Sequence, residues 1–422
     1  MNIRRLIPLA AAAAVLMAAC GSSAKTSTSA TTAAVAATTA TTAPAAGATT
    51  AAGGTTAAST AVTTAGTSAA IPTGNGPGKD AKTIGFIFVG PKDDFGYNQA
   101  AYAGSQAVAK AHPNIKVLTA ENVPEDDNAT RVMEKMISDG ATLIFATSYG
   151  HLDPALKVAA AHPNVVVVQQ GNVISGTVPP NAGTYFGTVY EPVYLAGIAA
   201  GAATKSNKLG YVYAFPIPQT IANINAFELG AKLSNPKAET YAVNTSAWCD
   251  PAKQAQAASS LFAQGIDVIT QHQDCTATIT KAAEAAGKMV VGYHADASSL
   301  APKGWITGSE WAWGDLYNQI VDTVVAGGFT GSKFNANYRV GYKDGANPFV
   351  QSKFGPSVSD ATKALIATQL KVISTTGSPF TGPILAQDGS TLFAAGAAPA
   401  YADIESKNTA FVQGVVGQIP KG

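Results

Sequence analysis

The sequence predicts an α/β protein built from two doubly wound parallel sheets, and three observations lead there. From Lys79 onward, short β-rich runs alternate with helical stretches. The first run, 84–89, is apolar without interruption, the pattern of a strand covered on both faces. The alternation then restarts at Lys208, so one βαβα series is followed by a second. Right-handed crossovers turn each series into its own parallel sheet.

In the first series the strand at 84–89 leads to a helix over 98–111, a strand at 115–120, a helix over 126–138 and a strand at 142–147. A helix over 153–161, a strand at 165–169 and a small-residue helix over 191–204, suited to close packing, complete it. The second series has strands at 209–214, 239–244, 267–271 and 289–292, with helices over 219–233, 250–263 and 277–286 between them. Asp250-Pro251 reads as an N-cap with proline in the first turn. A helix over 313–326 and an extended segment at 337–342 give the tail enough length to cross between lobes again. The expected first lobe is 79–205 plus about 312–332, and the second is 206–311 plus about 333–422.

The beginning of the chain carries a different signal. Arg4 and Arg5 precede an apolar run over 6–19 that is too short to span a bilayer, as in a signal peptide at 1–19. Ala18-Ala19-Cys20-Gly21 follows and resembles the lipobox of bacterial lipoproteins, with Met17 where leucine is usual and Leu16 beside it. That resemblance implies acylation of Cys20; a cleaved signal with a chance cysteine is the alternative. Residues 23–78 are almost wholly Ala, Thr, Ser and Gly, too poor in bulky apolar groups to offset ordering entropy, and are expected to be a disordered tether or O-glycosylated stalk. The glycines of 74–78 follow no strand, which excludes a nucleotide loop. Net charge is +1, so nothing points to nucleic acid. With Cys20 acylated, Cys249 and Cys275 remain as an even pair and a disulfide candidate.

Ligands of doubly wound sheets sit beyond the carboxyl ends of the strands. Those loops hold Asp94, Tyr97 and Asn98 after the first strand and Ser148, Tyr149 and His151 after the third. In the second lobe they hold Trp248 and Asp250, His272 and Asp274, then His294 and Asp296, with Trp311 and Trp313 after the last strand. Aromatics and carboxylates gathered at strand ends suit a flat, hydrogen-bonding ligand clamped between rings. Tyr97 and Trp248 are candidate stacking rings, and one of Trp311 and Trp313 is expected in the cleft. Asp94, Asn98, Ser148, Tyr149, Asp250, Asp274 and Asp296 are candidate polar contacts, although Asn98, Asp274 and Asp296 are equally suited to capping helices. His151 is expected at the surface. The histidines, aspartates and cysteines of the second lobe are metal-ligand types, but their spacings match no zinc signature, and no cofactor is expected. Ser148 lacks the Gly-x-Ser-x-Gly frame of a hydrolase nucleophile.

Several segments, in order, resemble the basic-membrane-protein family of transporter substrate-binding lipoproteins: Asp93-Asp-Phe-Gly-Tyr-Asn98, Ala146-Thr-Ser-Tyr-Gly150, Gly183-Thr-Tyr-Phe-Gly187 and Tyr194-Leu-Ala-Gly197. Asn225-Ala-Phe-Glu-Leu-Gly230, Trp248 with Asp250-Pro251, Gly292-Tyr-His-Ala-Asp296 and Thr381-Gly-Pro-Ile384 extend it toward the C-terminus. The resemblance implies a periplasmic-binding-protein-like (type I) fold with two hinged lobes, and a non-catalytic receptor on the extracytoplasmic face of the membrane. It implies permease and ATPase subunits of an ABC importer as partners, and a purine base or nucleoside as ligand. Other heterocycles such as riboflavin, simple sugars, or a sensory role on the same fold are the alternatives. Cys249 stands where the family usually has an aromatic residue, and Cys275 where a small polar residue is common.

Acylation of Cys20 predicts that the protein partitions with membranes and that Cys20→Ala releases it or blocks its maturation. Wild-type protein recovered entirely in the medium would overturn the assignment.

Overall fold

The computed structural model describes residues 70–345, 347–397 and 399–420, so the expected signal peptide, Cys20 and the tether up to residue 69 lie outside the described residues. The first series supplies β1 (Thr83–Ile87), β2 (Lys116–Ala120), β3 (Leu143–Ala146), β4 (Val166–Gln170) and β5 (Ala182–Gly187), with α1 (Tyr97–Ala111), α2 (Asp127–Ser138) and α3 (Leu152–Ala161) between them. After α4 (Tyr190–Ala203) come β6 (Lys208–Tyr213), β7 (Glu239–Asn244), β8 (Val268–His272), β9 (Met289–Gly292) and β10 (Trp305–Trp311). Their connecting helices are α5 (Pro218–Ser234), α6 (Pro251–Ala263) and α7 (Ala277–Ala285). The tail holds α8 (Gly314–Val325), β11 (Asn337–Val340), β12 (Phe349–Gln351), α9 (Asp360–Thr376), β13 (Ile384–Leu385), β14 (Thr391–Phe393), α10 (Tyr401–Lys407) and β15 (Val415–Val416).

These strands form two main sheets, ordered β11-β5-β4-β3-β1-β2 and β12-β10-β9-β8-β6-β7-β15, and a separate antiparallel pair β13-β14. Apart from the antiparallel β10–β12 edge, every pairing in the two main sheets is parallel. This is the α/β, doubly wound architecture that the sequence predicts. Every residue of β1, β3 and β4 is buried, which is why their sequences are mainly apolar, with Thr83 and the pair Gln169 and Gln170 only at strand ends. β2, at the edge, is partly exposed. β5 and β10 were not expected: their glycines and polar residues break the apolar run that marks a buried strand.

Three boundaries differ from expectation. Helix α4, placed in the first lobe by sequence order, packs instead on α5 and β10 of the second. Its glycines make this possible, since a Cβ on Gly197 would lie 2.2 Å from the Phe227 carbonyl oxygen, and one on Gly230 of α5 would lie 2.1 Å from that of Tyr194. Strand β11, assigned to the second lobe, pairs with β5 in the first sheet. The tether ends earlier than residue 78: Gly74 N–H donates to the Ala326 carbonyl at 2.9 Å, Gly76 N–H to Gly327 at 2.9 Å and Gly78 N–H to Asn164 at 3.0 Å. This glycine-rich segment docks because backbone without Cβ atoms can lie directly on backbone.

The chain passes between the sheets at 187–190, 311–314 and 340–349. Glu191 ties the first passage to the third. Its carboxylate accepts from Thr188 Oγ1, from the Tyr342 N–H at 2.8 Å and from Asn347 Nδ2 at 2.9 Å. Asn347 Nδ2 also donates to the Thr188 carbonyl at 3.1 Å. Burial pushes the Glu191 carboxyl up from 4.5 to about 7, against the lowering effect of these bonds. A carboxyl raised in the folded state favours folding in its protonated form. That contribution is complete below 4.5 and is lost as pH rises through about 7. The shift corresponds to about 3 kcal/mol. Thermal unfolding from pH 5 to 8 should show the loss, and Glu191→Gln should flatten the profile. A variant with the same slope as wild type would contradict this role for Glu191.

Candidate ligand-binding site

The carboxyl ends of both sheets face a small, partly enclosed space. The first lobe lines it with Tyr97, Ser148, Tyr149, Gly171 and Phe186, and the second with Gln219, Trp248, His272, Asp274 and His294. Tyr97 opens α1, where the chain turns from the β1 loop into the helix, and its ring lies 4.9 Å from the His294 ring. Trp248, on the β7–α6 loop, is half-buried with its edge against Phe215 at 5.1 Å. Both lobes therefore bring large rings to the space, Tyr97, Tyr149 and Phe186 from the first and Trp248 from the second. Ser148 Oγ donates to Glu125 at 2.5 Å, leaving its oxygen as an acceptor on the lining. Tyr149 follows it into the short turn that begins α3.

Asp274 is the polar centre. Only 6% of it is exposed, and among the described residues no donor meets its carboxylate. Burial pushes this carboxyl well above its ordinary range, and the charges of Asp94 and Glu125 push in the same direction. Beside it, burial holds His272 down at about 3. His294 is held well below its usual value, by burial first and by His272 second. The Asn223 amide lies 3.1 Å from His272 Nδ1, and the indole Nε1 of Trp311 lies 2.8 Å from His294 Nδ1. An indole N–H only donates, so His294 accepts at Nδ1 as a neutral imidazole with its proton on Nε2, whereas both ring nitrogens of His272 lie 3.3 Å from the Tyr293 hydroxyl. Gln219, at the start of α5, has a buried Nε2 with no partner. The lining thus offers the Asp274 carboxyl, the His294 imidazole N–H and the Gln219 amide between aromatic faces.

Five of the expected contacts are elsewhere. Asp94 is consumed by its own loop, accepting from the N–H groups of Gly96, Asn98 and Gln99 at 2.8–3.1 Å and from Asn98 Nδ2 at 2.8 Å. Asn98 in turn accepts from the Gly90 N–H at 3.1 Å, so it fastens the loop rather than facing the space. Asp250 caps α6 through the Lys253 N–H at 3.0 Å. Asp296 is exposed, bonding the Ser298 N–H at 2.9 Å and pairing with Lys353 at 2.9 Å. Trp311 and Trp313 are both buried behind the lining, stacked on each other at 4.2 Å. His151, expected at the surface, is fully buried, with Nε2 2.9 Å from the Val123 carbonyl oxygen. Sequence reasoning missed Gln219, Phe186 and Gly171, and treated His272 and His294 only as metal-ligand types. The two histidines sit directly at the ends of β8 and β9, a position that marks them. Among the described residues no group of three or more such side chains is arranged to hold a metal ion.

Cys249 and Cys275 form a disulfide that joins the β7–α6 and β8–α7 loops. It flanks the hydrogen bond from the Asp274 N–H to the Trp248 carbonyl at 2.8 Å, so ring and carboxylate are held as one unit. The lobes also touch directly. The Tyr97 N–H donates to the Asp274 carbonyl at 3.1 Å, and Thr276 Oγ1 donates to the Phe95 carbonyl. Gly96 lies so close that a Cβ would be 1.6 Å from the Asp274 oxygen.

Two parallel-sheet lobes that meet over a small lined space are an arrangement suited to holding a small solute. Residues 81–378 match the family model of PnrA-like ABC transporter substrate-binding proteins, and the chain belongs to that family. It is 33% identical over 314 residues to a purine-binding protein of Brucella abortus, covering 74% of this chain and 87% of that one. It is 30% identical over 368 residues to a Haloferax volcanii protein named as an ABC transporter glucose-binding protein, covering 85% and 87%. Among solved structures, an Aeropyrum pernix ABC transporter solute-binding protein superposes with a TM-score of 0.62 at 16% identity, covering 78% of this chain and all of that one. Among the described residues no helix is long and apolar enough to cross a membrane.

The Gly96 contact predicts that Gly96→Ala cannot close, because the added carbon has no room against the Asp274 backbone. Ligand affinity should fall about 10-fold or more, in proportion to the lost closed population. Small-angle scattering should show the compaction on ligand binding in wild type and not in the variant. Equal compaction in both would show that closure does not depend on this contact.

Proposed function

We propose that the protein is an extracytoplasmic receptor that closes on a purine base or nucleoside and hands it to the permease and ATPase subunits of an ABC importer, without chemical turnover. In this reading acylated Cys20 anchors it to the membrane, and the complete, closed form is what the importer distinguishes. The observation that carries the ligand class is the Asp274 carboxyl, largely buried on the lining with no protein hydrogen bond to it, beside the His294 imidazole and between rings from opposite lobes. A buried carboxylate needs hydrogen-bond donors, and a flat heterocycle can supply an N–H while its faces stack on Tyr97 and Trp248. The Brucella relative's purine binding supports the same class.

Sugar binding is the second reading, favoured by the Haloferax relative. A sugar presents many hydroxyls and calls for several carboxylates, yet Asp250 and Asp296 are engaged outside the space and only Asp274 lines it. This geometry favours the heterocycle.

Calorimetric titration of ligand-stripped protein with adenine, adenosine, guanosine, riboflavin and simple sugars separates the readings; tight sugar binding without a purine response would overturn the purine assignment. Incubation with nucleosides followed by chromatography should return them unchanged. Trp248→Ala should weaken purine binding about 5- to 150-fold, since one stacking ring contributes about 1–3 kcal/mol. Asp274→Asn should weaken it about 10- to 150-fold, as expected for a hydrogen bond to a charged group. The same substitution removes a buried carboxyl that is held above its ordinary range in the folded protein and so makes folding less favourable as pH rises; the empty variant should melt above wild type at pH 8. Unchanged affinity in Asp274→Asn would remove the carboxylate from the site.

A further inference from the structure

His294 is held in an uncommon way. Its φ is 69°, in the left-handed region that a residue with a Cβ enters at a cost of about 1–3 kcal/mol and that clusters at functional sites. Trp311 grips it twice. The Trp311 backbone N–H donates to the His294 carbonyl at 3.0 Å, and its indole Nε1–H donates to His294 Nδ1 at 2.8 Å. The two rings are nearly parallel, inclined by 20°, so the indole proton lies close to the imidazole plane where the nitrogen lone pair is. An imidazolium has no lone pair to accept that proton, and an Nδ1–H tautomer has none at this position. Trp311 itself is locked by its stack on Trp313 at 4.2 Å and its contact with Phe349 at 4.1 Å. His294 lies on the pocket lining, and among the described residues no protein group bonds its Nε2.

We propose that Trp311 is a specificity-positioning residue: by occupying Nδ1 it holds His294 as the neutral Nε2–H tautomer, so that this edge of the pocket reads a hydrogen-bond acceptor on the ligand. The inference rests on the reading of the site as a receptor for nitrogen heterocycles. It adds that the ligand edge facing His294 carries an unprotonated ring nitrogen or a carbonyl oxygen, while the edge facing Asp274 carries an N–H. A ligand with the reverse arrangement would set donor against donor and acceptor against acceptor. Trp311 acts through His294 and does not line the pocket. Both residues stand at strand ends of the second lobe, so the tautomer is set before the lobes close.

Two measurements test this. Long-range 1H–15N NMR of histidine-labelled wild-type protein should show His294 neutral with its proton on Nε2 at pH 7, with and without ligand. A protonated Nδ1 in the empty protein overturns the proposal, and this measurement needs no variant. Calorimetry with purines and their deaza analogues, in which one ring nitrogen becomes C–H, provides the second. In wild type, one analogue should lose about 10-fold or more relative to its parent, because the His294 donor is left unpaired. In Trp311→Phe, which keeps a ring but removes the indole N–H, that discrimination should shrink to less than about 3-fold. Discrimination retained in full by Trp311→Phe overturns the role of Trp311. A protein that binds no purine removes the heterocycle reading instead, while the tautomer in the empty protein still decides the claim about Trp311.

Discussion

A carboxylate withdrawn from water without a cation to meet it sets the terms for this cleft. Moving a charged group into a protein interior costs several kcal/mol unless hydrogen bonds or an opposite charge offset it, and the charges felt by Asp274 are those of Asp94 and Glu125, of its own sign. The side chain has no retreat, because its backbone is engaged on both sides: the N–H with Trp248 and the carbonyl with Tyr97 of the other lobe. The disulfide at the next residue fixes the same loop to a second one. Sites that carry such an unfavourable group survive where surrounding structure over-determines them, and the donors withheld by the protein are then left for a ligand to bring.

Legibility in the sequence followed what each residue type can do in only one way. Strands β1, β3 and β4 were evident because burial on both faces selects runs of apolar residues, such as Leu143-Ile-Phe-Ala146 and Val166-Val-Val168, whereas Gly183 and Gly187 in β5 and Glu310 in β10 break that pattern. The strand-end rule located Tyr97, Ser148, Tyr149, Trp248 and Asp274 on the lining. It could not separate them from Asp94, Asp250 and Asp296, because a short acidic side chain after a strand reaches either the cleft or the backbone of the next turn, and all three took the backbone. The fate of Asp274 depends on Gly96 approaching its carbonyl from another lobe, a contact that no local pattern encodes.

Crossing and cleft share their aromatic residues. Trp311 and Trp313 stand on the second passage between the sheets, and Trp313 stacks in turn on Tyr317 of α8 with 10° between the planes. Phe186, on the lining, touches Trp311 at 4.7 Å. A file of rings therefore runs from a helix of the first lobe, through a hinge passage, to the imidazole that borders the pocket. Rotation about the passages cannot leave the pocket wall unaffected, since the same side chains form both.

The docked glycine segment also fixes where the chain enters the fold. Gly74, Gly76 and Gly78 bind the end of α8 and Asn164, which precedes β4, at the amino ends of the first sheet's strands. The cleft lies at the carboxyl ends of those strands. The polypeptide thus joins the fold at the base of one lobe, as far along the strands from the cleft mouth as that lobe allows. The cleft mouth is therefore left clear of that entry point.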